Sequence, residues 1–139
     1  MRLWHYKLIS KLPRQQLLGQ HRECCALRGM GWGKKHSVVN YVFEHPYYHL
    51  FLYHQMVIKE MEKRGYHVGL DWKFSKYRGK KIGFDYSKFT LLNLPNMWNI
   101  VSEVCNYIQQ IYPEHDDHYL KECLDNLKSK GISIVIDGK

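Results

Sequence analysis

The sequence predicts a mainly α-helical, compact single-domain fold in which three to four helices are joined by long loops. Its 139 residues, 45% apolar and 14% aromatic, suffice for one hydrophobic core. Apolar residues recur at helical spacing in several stretches, and proline or glycine bounds most of these stretches. The chain shows no internal repeat, low-complexity tract or linker, so residues 1–139 are assigned to a single domain.

The first helix is predicted to begin at Leu12-Pro13, because proline is favoured in the first turn of a helix. Residues that recur at helical spacing form one side of this helix, and these residues are Leu17, Leu18, His21, Cys24, Cys25 and Arg28. Gly29 is the expected C-terminal stop. Residues 29–36 follow as a glycine-rich loop that also carries tryptophan and lysine.

The remaining elements follow from the same kinds of signal. A second helix is predicted over residues 46–64 and ends before Gly65. Residues 66–90 mix aromatic and basic side chains with glycines, which indicates a loop or short irregular elements. A third helix is predicted over residues 96–111, and a fourth begins at Tyr112-Pro113 with acids in its first turn. The β-branched residues 132–136 predict a short C-terminal strand or an extended strip packed on the helices.

Composition bounds the class of protein. Twenty-one lysines and arginines against 13 acids give a formal charge of +8, which attracts anionic partners, nucleic acid above all. No stretch resembles a signal peptide or approaches the ~18 apolar residues of a membrane span, so a cytoplasmic protein without a membrane partner is expected. The four cysteines match neither a metal-binding pair nor a secreted disulfide framework. We interpret them as reduced, mostly buried thiols, with Cys24 and Cys25 as inert packing.

Glu23 is the candidate carboxylate for chemistry. At 100° per residue it lies opposite the apolar side of the first helix, with Gly19 and Ala26 one turn away on either side. These small neighbours leave a hollow around the carboxylate. Arg22 flanks the same face, where it could hold a phosphate or favour the charged form of Glu23. The alternative is a solvated Arg/Glu pair on a helix surface.

Several motifs together resemble those of the phage endonuclease V-like pyrimidine-dimer DNA glycosylase family. The first is the chain start Met1-Arg2-Leu3-Trp4, followed by the helix that carries Arg22-Glu23. The other two are Gly33-Lys34-Lys35-His36, which is similar to a Gly-x-x-His stretch of the family, and Lys63-Arg64-Gly65-Tyr66, which is similar to the end of its second helix. The resemblance covers roughly residues 1–70.

The resemblance implies a DNA-repair glycosylase with abasic-site lyase activity that removes a pyrimidine dimer from double-stranded DNA. An N-terminal amine would attack the sugar, form a Schiff base and allow β-elimination. The amine of Met1 and the carboxylate of Glu23 would be catalytic, while Arg2 and Arg22 would hold phosphates. No metal and no organic cofactor is expected, and the protein is expected to act as a monomer.

The identity of the amine stays open at this stage. The family uses a threonine amine that is exposed after removal of the initiator methionine, whereas Arg2 is too large for the usual removal. One register makes Met1 the nucleophile and aligns Arg2 with the second-position arginine of the family. The ungapped register places Arg2 opposite the threonine. Gln16 and Ala26 also depart from the family, which has histidine and a basic residue at these positions.

Further DNA contacts are predicted where basic and aromatic residues mix, because such mixtures combine phosphate neutralisation with base stacking. The aromatic-basic segment of residues 72–86 carries five cations close together. An aromatic side chain such as Trp32 could fill the gap that a flipped nucleotide leaves. The predicted contacts beyond the two arginines are Trp32, Lys34, Lys35, Lys80 and Lys81. The resemblance adds His36 as a residue that contacts DNA or handles protons, and the alternative for it is a hydrogen-bonding surface group.

Two alternatives to an enzyme follow from the same residues. One is a non-catalytic nucleic-acid-binding protein of the same fold, and the other is a protein-interaction module that uses the aromatic-rich second helix. His45 and His49 have the i, i+4 spacing of a helical metal pair. No HExxH pattern surrounds them, so they are interpreted as structural.

Overall fold

The computed structural model describes residues 2–34, 39–84 and 110–135. These residues form three α-helices, α1 (Arg14–Arg28), α2 (Tyr47–Lys63) and α3 (Asp117–Ser129). Three short 3-10 helices accompany them, at Tyr6–Lys11, Asn40–Glu44 and Leu70–Lys73. Over the described ranges there is no strand, and the only β-type pairing is an isolated bridge between Tyr77 and Phe84. The prediction of a mainly helical fold is confirmed.

The two long helices α1 and α2 pack against each other and begin and end where the sequence predicts. Pro13 precedes the first residue of α1, and Gly29 follows its last. Helix α2 lies between Pro46 and Arg64. Gly65 then adopts a φ of 95°, a left-handed conformation that glycine reaches without steric cost.

The core lies between α1, α2 and the N-terminal segment. Helix α2 is buried along most of its length, including its aromatic residues Tyr47, Phe51 and Tyr53. Burial of such large side chains stabilises the fold strongly. It also removes the exposed aromatic surface that the protein-interaction hypothesis requires of this helix.

Helix α3 begins later than predicted, at Asp117 instead of Tyr112. The Asp116 carboxylate accepts the backbone N–H of Tyr119 at 2.9 Å and caps the helix there. The residues before the cap are used for tertiary contacts, because Tyr112 and His115 are buried in an aromatic cluster. The predicted third helix lies outside the described residues, apart from residues 110 and 111, which are not helical.

The segment after α3 is an extended strip rather than a strand over residues 132–135. Ile132 and Ile134 are half-buried and pack against the main core, while residue 136 lies outside the described part. This packing matches the second of the two predicted possibilities. Within the described ranges, every helix falls short of the length and apolarity that a membrane crossing needs.

Candidate active site and basic groove

All three α-helices hold the N-terminal segment by hydrogen bonds to its backbone. Tyr119 of α3 donates its hydroxyl to the carbonyl oxygen of Leu3 at 2.6 Å. The Tyr53 hydroxyl of α2 lies 2.5 Å from the carbonyl oxygen of Trp4. The Trp4 backbone N–H donates to Oε1 of Gln20 on α1 at 2.6 Å. Leu3 and Trp4 are themselves buried, so the position of this segment is determined by packing as well as by hydrogen bonds.

Glu23 is connected to the N-terminal segment through a single side chain. Nε2 of Gln20 donates to the carbonyl oxygen of Arg2 at 2.8 Å and to Oε1 of Glu23 at 3.0 Å. The Arg2 backbone and the Glu23 carboxylate therefore share one donor group. Met1 lies outside the described residues, so Arg2 is the closest described residue to the chain end.

The surroundings of Glu23 set its proton affinity. Partial burial raises the pKa of the Glu23 carboxyl above its ordinary value, and the positive charges of Lys130 and Arg22 act in the opposite direction. Lys130 ends α3, and its Nζ lies 5.4 Å from the centre of the Trp4 ring. The sequence does not predict this lysine, because no local pattern connects the end of α3 with Glu23.

The two arginines predicted to hold phosphates differ in exposure. The Arg2 guanidinium carbon lies 5.8 Å from the ring centres of both Trp4 and Tyr119, and the residue is half-buried. Arg22 is exposed. An exposed guanidinium can reach a phosphate without rearrangement, whereas Arg2 offers only part of its surface.

A groove of about 540 Å³ separates the C-terminal part of α1 from the loop that follows α2. Lys34, Lys80 and Lys81 line it and are exposed, and Trp72 forms part of its wall. The structure thus brings together three of the lysines predicted to bind DNA. Lys35 and His36 lie outside the described residues.

Buried Arg28 holds the loop that forms one side of this groove. Its guanidinium is fully buried and donates to the carbonyl oxygens of Trp72, Phe74 and Tyr77 at 2.8–2.9 Å. It also donates to the Tyr47 hydroxyl at 3.1 Å, and Nη1 lies 2.9 Å from Nδ1 of His54. All five N–H donors of a guanidinium are therefore used.

Arg78 and Lys73, which belong to the cluster of cations in residues 72–86, have structural partners on α1 and α2. Arg78 is buried and donates to the carbonyl oxygens of Arg28 and Gly29 at 2.7 and 3.1 Å, which satisfies the C-terminal end of α1. Lys73 forms an ion pair with Glu62 of α2. The cationic surface of this segment is therefore smaller than its sequence predicts, and it centres on Lys80 and Lys81.

Trp32 is half-buried and packs edge-on against two aromatic rings. Its ring centre lies 5.1 Å from that of Phe43 and 5.0 Å from that of Tyr47. A role as a wedge in DNA would have to act from the remaining exposed edge of the indole. This role stays a prediction.

Among the described residues, one group of side chains of metal-ligating types converges, and no local sequence pattern indicates it. Nδ1 of His21 lies 2.8 Å from Nε2 of His54, and Sγ of Cys25 lies 3.9 Å from the same Nε2. The three candidate ligand atoms lie within 4.8 Å of one another, close to the spacing around a tetrahedral ion. His21 and Cys25 share one helix turn, but His54 comes from α2, which hides the group from the sequence.

Arg28 opposes metal binding at this group. A guanidinium only donates, so Nδ1 of His54 must accept its hydrogen bond, and the proton of the neutral imidazole then resides on Nε2. That nitrogen is the candidate ligand atom, which must be unprotonated to bind a metal. Burial also raises the pKa of the Cys25 thiol to about 12, which disfavours the thiolate. The group instead forms a chain of hydrogen bonds from Arg28 through His54 to His21.

His45 and His49 lie near the start of α2 with ring centres 5.3 Å apart. Nε2 of His45 lies 3.0 Å from Oε1 of Glu114, which ties α2 to the turn before α3. The three described cysteines, Cys24, Cys25 and Cys123, are free thiols.

A family model described as "Pyrimidine dimer DNA glycosylase" matches residues 1–74, just over half of the chain. The chain belongs to the pyrimidine dimer DNA glycosylase family. Membership confirms the resemblance drawn from the sequence motifs and assigns the protein to DNA repair, with DNA as its substrate. No curated protein and no solved structure matched the chain.

The family match covers the residues around Glu23 and part of the groove, including Lys34, and ends before Lys80 and Lys81. Within it lie Arg2, Gln20, Arg22 and Glu23. Lys80, Lys81 and Lys130 lie beyond residue 74, so one part of the groove lining and all of α3 are outside the matched region.

Proposed function

We propose that this glycosylase cleaves the glycosyl bond of a pyrimidine dimer with an amine at the chain end and then nicks the abasic strand. The supporting observation is the Gln20 amide, which bonds both the Arg2 carbonyl oxygen and the Glu23 carboxylate. Neighbouring Cα atoms are ~3.8 Å apart, so this attachment of Arg2 is compatible with an amine of Met1 that acts on the same nucleotide as Glu23.

An α-amine suits the proposed chemistry, because it titrates near ~7.7 and is partly neutral at physiological pH. The neutral amine attacks C1′ of the damaged nucleotide, and the base leaves with the electron pair of the glycosyl bond and takes up a proton. Loss of a proton from the nitrogen and opening of the sugar ring give a Schiff base. Removal of a C2′ proton then expels the 3′ phosphate, and water releases the protein from the imine.

Glu23 has two roles in this scheme. Its carboxylate stabilises the positive charge that develops on the sugar, and it carries protons during imine formation and elimination. Its pKa, raised by burial, brings proton uptake closer to the working pH than for an exposed glutamate. Arg22 is exposed beside it in the chain and supplies a phosphate contact.

The exposed lysines of the groove bind the phosphates of double-stranded DNA at a distance from the lesion. Lys34, Lys80 and Lys81 lie on one groove, so they can follow a single stretch of backbone. The enzyme is proposed to act as a cytoplasmic monomer. Size-exclusion chromatography with light scattering tests the oligomeric state.

Borohydride trapping tests the proposal, because it reduces a Schiff base to a stable covalent adduct. The wild-type protein should be trapped on duplex DNA that contains an abasic site or a pyrimidine dimer. Glu23→Gln should abolish the adduct and leave DNA binding unchanged. Glu44→Gln, a matched change at an exposed position, should behave as wild type. Mass spectrometry of the adduct identifies whether Met1 or Arg2 carries the sugar.

A non-catalytic DNA-binding role is the second candidate, favoured by the exposed lysines of the groove. An absent adduct together with salt-dependent DNA binding would refute the amine mechanism and support this role. Equal trapping of the wild type and Glu23→Gln would refute the role assigned to Glu23 alone.

A further inference from the structure

Gln20 is a buried polar side chain, only 1% exposed, on the face of α1 that meets the core. Its Oε1 accepts the Trp4 N–H at 2.6 Å and lies 2.9 Å from the Tyr53 hydroxyl. Its Nε2 donates to the Arg2 carbonyl oxygen at 2.8 Å and to Glu23 at 3.0 Å. A side-chain amide has two N–H donors, and the contacts to Arg2 and Glu23 use both, whereas the single proton of the Tyr53 hydroxyl is shared between Oε1 and the Trp4 carbonyl oxygen.

The orientation of this amide follows from its backbone partners. The Trp4 N–H can only donate, so it requires the amide oxygen, and the Arg2 carbonyl can only accept, so it requires the amide nitrogen. The second N–H of that nitrogen is then directed at the Glu23 carboxylate. The two hydrogen bonds of Gln20 to the backbone of Arg2 and Trp4 are sufficient to attach the N-terminal segment to α1. The third hydrogen bond, to the Glu23 carboxylate, is not needed for this attachment.

We infer that Gln20 is a positioning residue of the proposed reaction, which fixes the chain end and orients the Glu23 carboxylate with one amide group. The inference rests on the proposed function, because it assigns Gln20 to the same site. Gln20 lies three residues before Glu23 on α1, so both side chains project from adjacent turns of a rigid helix. Tyr53 from α2 braces the amide oxygen.

The same contact sets the charge of the carboxyl. Donation of an N–H to a carboxylate favours its ionised form, which opposes the effect of burial on the Glu23 pKa. Loss of the donor should therefore raise this pKa further. It should also release the Arg2 backbone, which enlarges the range of positions open to the amine.

Gln20→Met tests the inference, with Gln15→Met as the matched control on the exposed side of α1. Carbon-13 NMR titration of the free proteins reports the pKa of the Glu23 carboxyl, which should be higher in Gln20→Met than in the wild type or the control. The borohydride trapping rate should fall about tenfold or more, because a hydrogen bond to a charged group is lost. DNA affinity should stay within about twofold of the control, since Gln20 does not reach the surface. The acid limb of the trapping rate should move to higher pH with the Glu23 pKa.

An equal Glu23 pKa in Gln20→Met and Gln15→Met would overturn the inference. So would an unchanged trapping rate in Gln20→Met, a result that leaves the proposed function intact. A wild-type protein that forms no adduct refutes the proposed function itself, and the two failures are thereby distinguished.

Gln20→Glu provides a second test if the methionine variant does not fold. It keeps the acceptor for the Trp4 N–H but replaces both donors by a second carboxyl beside Glu23. Two neighbouring carboxyls titrate as a pair, so proton uptake should begin at higher pH than in Gln15→Glu. Identical titration in these two variants would overturn the inference.

Discussion

Arg28→Lys tests whether the buried guanidinium organises the basic groove. The substitution keeps the positive charge and reduces the number of N–H donors from five to three. Trp72 and Phe74 keep second donors, Nε2 of Gln55 at 2.9 Å and the Tyr77 backbone N–H at 3.2 Å. The other three acceptors are contacted from three different guanidinium nitrogens, and a single ammonium nitrogen cannot occupy all three positions. At least one buried acceptor loses its partner.

The structure allows the expected loss of stability to be worked out. An unsatisfied buried acceptor costs about 1–3 kcal/mol. The Arg28 guanidinium carbon also lies 4.9 Å from the Trp72 ring centre and 5.1 Å from that of Phe51, and weaker contact with these rings adds about 1 kcal/mol. We therefore expect the free energy of unfolding to fall by roughly 2–4 kcal/mol, a large share of the roughly 5–15 kcal/mol typical of a domain.

Urea unfolding provides the assay, with the midpoint read at an unchanged denaturant slope. Arg14→Lys is the control, because Arg14 is exposed near the start of the same helix and should change stability by less than about 0.5 kcal/mol. Hydrogen exchange should also accelerate at the Arg78 amide, whose backbone N–H bonds Gly83. A stability of Arg28→Lys equal to that of the control would refute the organising role of Arg28.

Three further predictions concern charge and pH. Glu23→Gln should abolish trapping and raise the free energy of unfolding at neutral pH. The pKa of Glu23 is raised in the folded protein, so folding disfavours the charged carboxylate, and wild-type stability falls as the pH rises above the pKa of the unfolded state. A stability of Glu23→Gln that matches the wild type from acid to neutral pH would contradict this. Burial lowers the pKa of His115 to about 3, so the contribution of its neutral form to stability is lost as the pH falls from about 6.5 towards 3. The free energy of unfolding should therefore depend less on pH in this range in His115→Gln. His118→Gln, a change at an exposed position, should keep the pH dependence of the wild type. Replacement of Lys80 and Lys81 by glutamine should lower the slope of log affinity against log salt by up to about 2, measured by fluorescence anisotropy with duplex DNA, and an unchanged slope would show that the groove is not a phosphate site.

The two long helices are predictable because their end signals are local. Pro13 and Gly29 bound α1, and Gly65 follows α2 in the left-handed conformation that ends helices. The start of α3 is not predictable in this way. Pro113 signals a helix N-terminus, but burial of His115 in the aromatic cluster displaces the start to the cap at Asp116.

The candidate site shows the same division between local and tertiary information. The position of Glu23 on α1 follows from helical periodicity, and the sequence motifs identify the family. Nothing in the sequence distinguishes Gln20 from other polar helix residues, because its partners Trp4 and Tyr53 lie close to it only in the folded protein. Lys130 approaches Glu23 only because α3 packs on the N-terminal segment.

The number of cations in residues 72–86 predicts a larger cationic surface after α2 than the structure has. Lys73 and Arg78 lie close to Lys80 along the chain, yet their partners come from α2 and from the end of α1. Charge counting along a segment cannot separate solvated cations from those that satisfy remote carboxylates and carbonyls.

The hydrogen bond between Tyr119 and Leu3 joins residues 116 positions apart and gives the protein an order of assembly during synthesis. At roughly 5–20 residues per second, about 6–23 s pass between the synthesis of Leu3 and that of Tyr119. The contacts of the N-terminal segment with α1 and α2 can therefore form well before its contact with α3. Until Tyr119 is synthesised, α1 and α2 alone can hold the N-terminal segment, so its attachment is completed only when α3 packs against it.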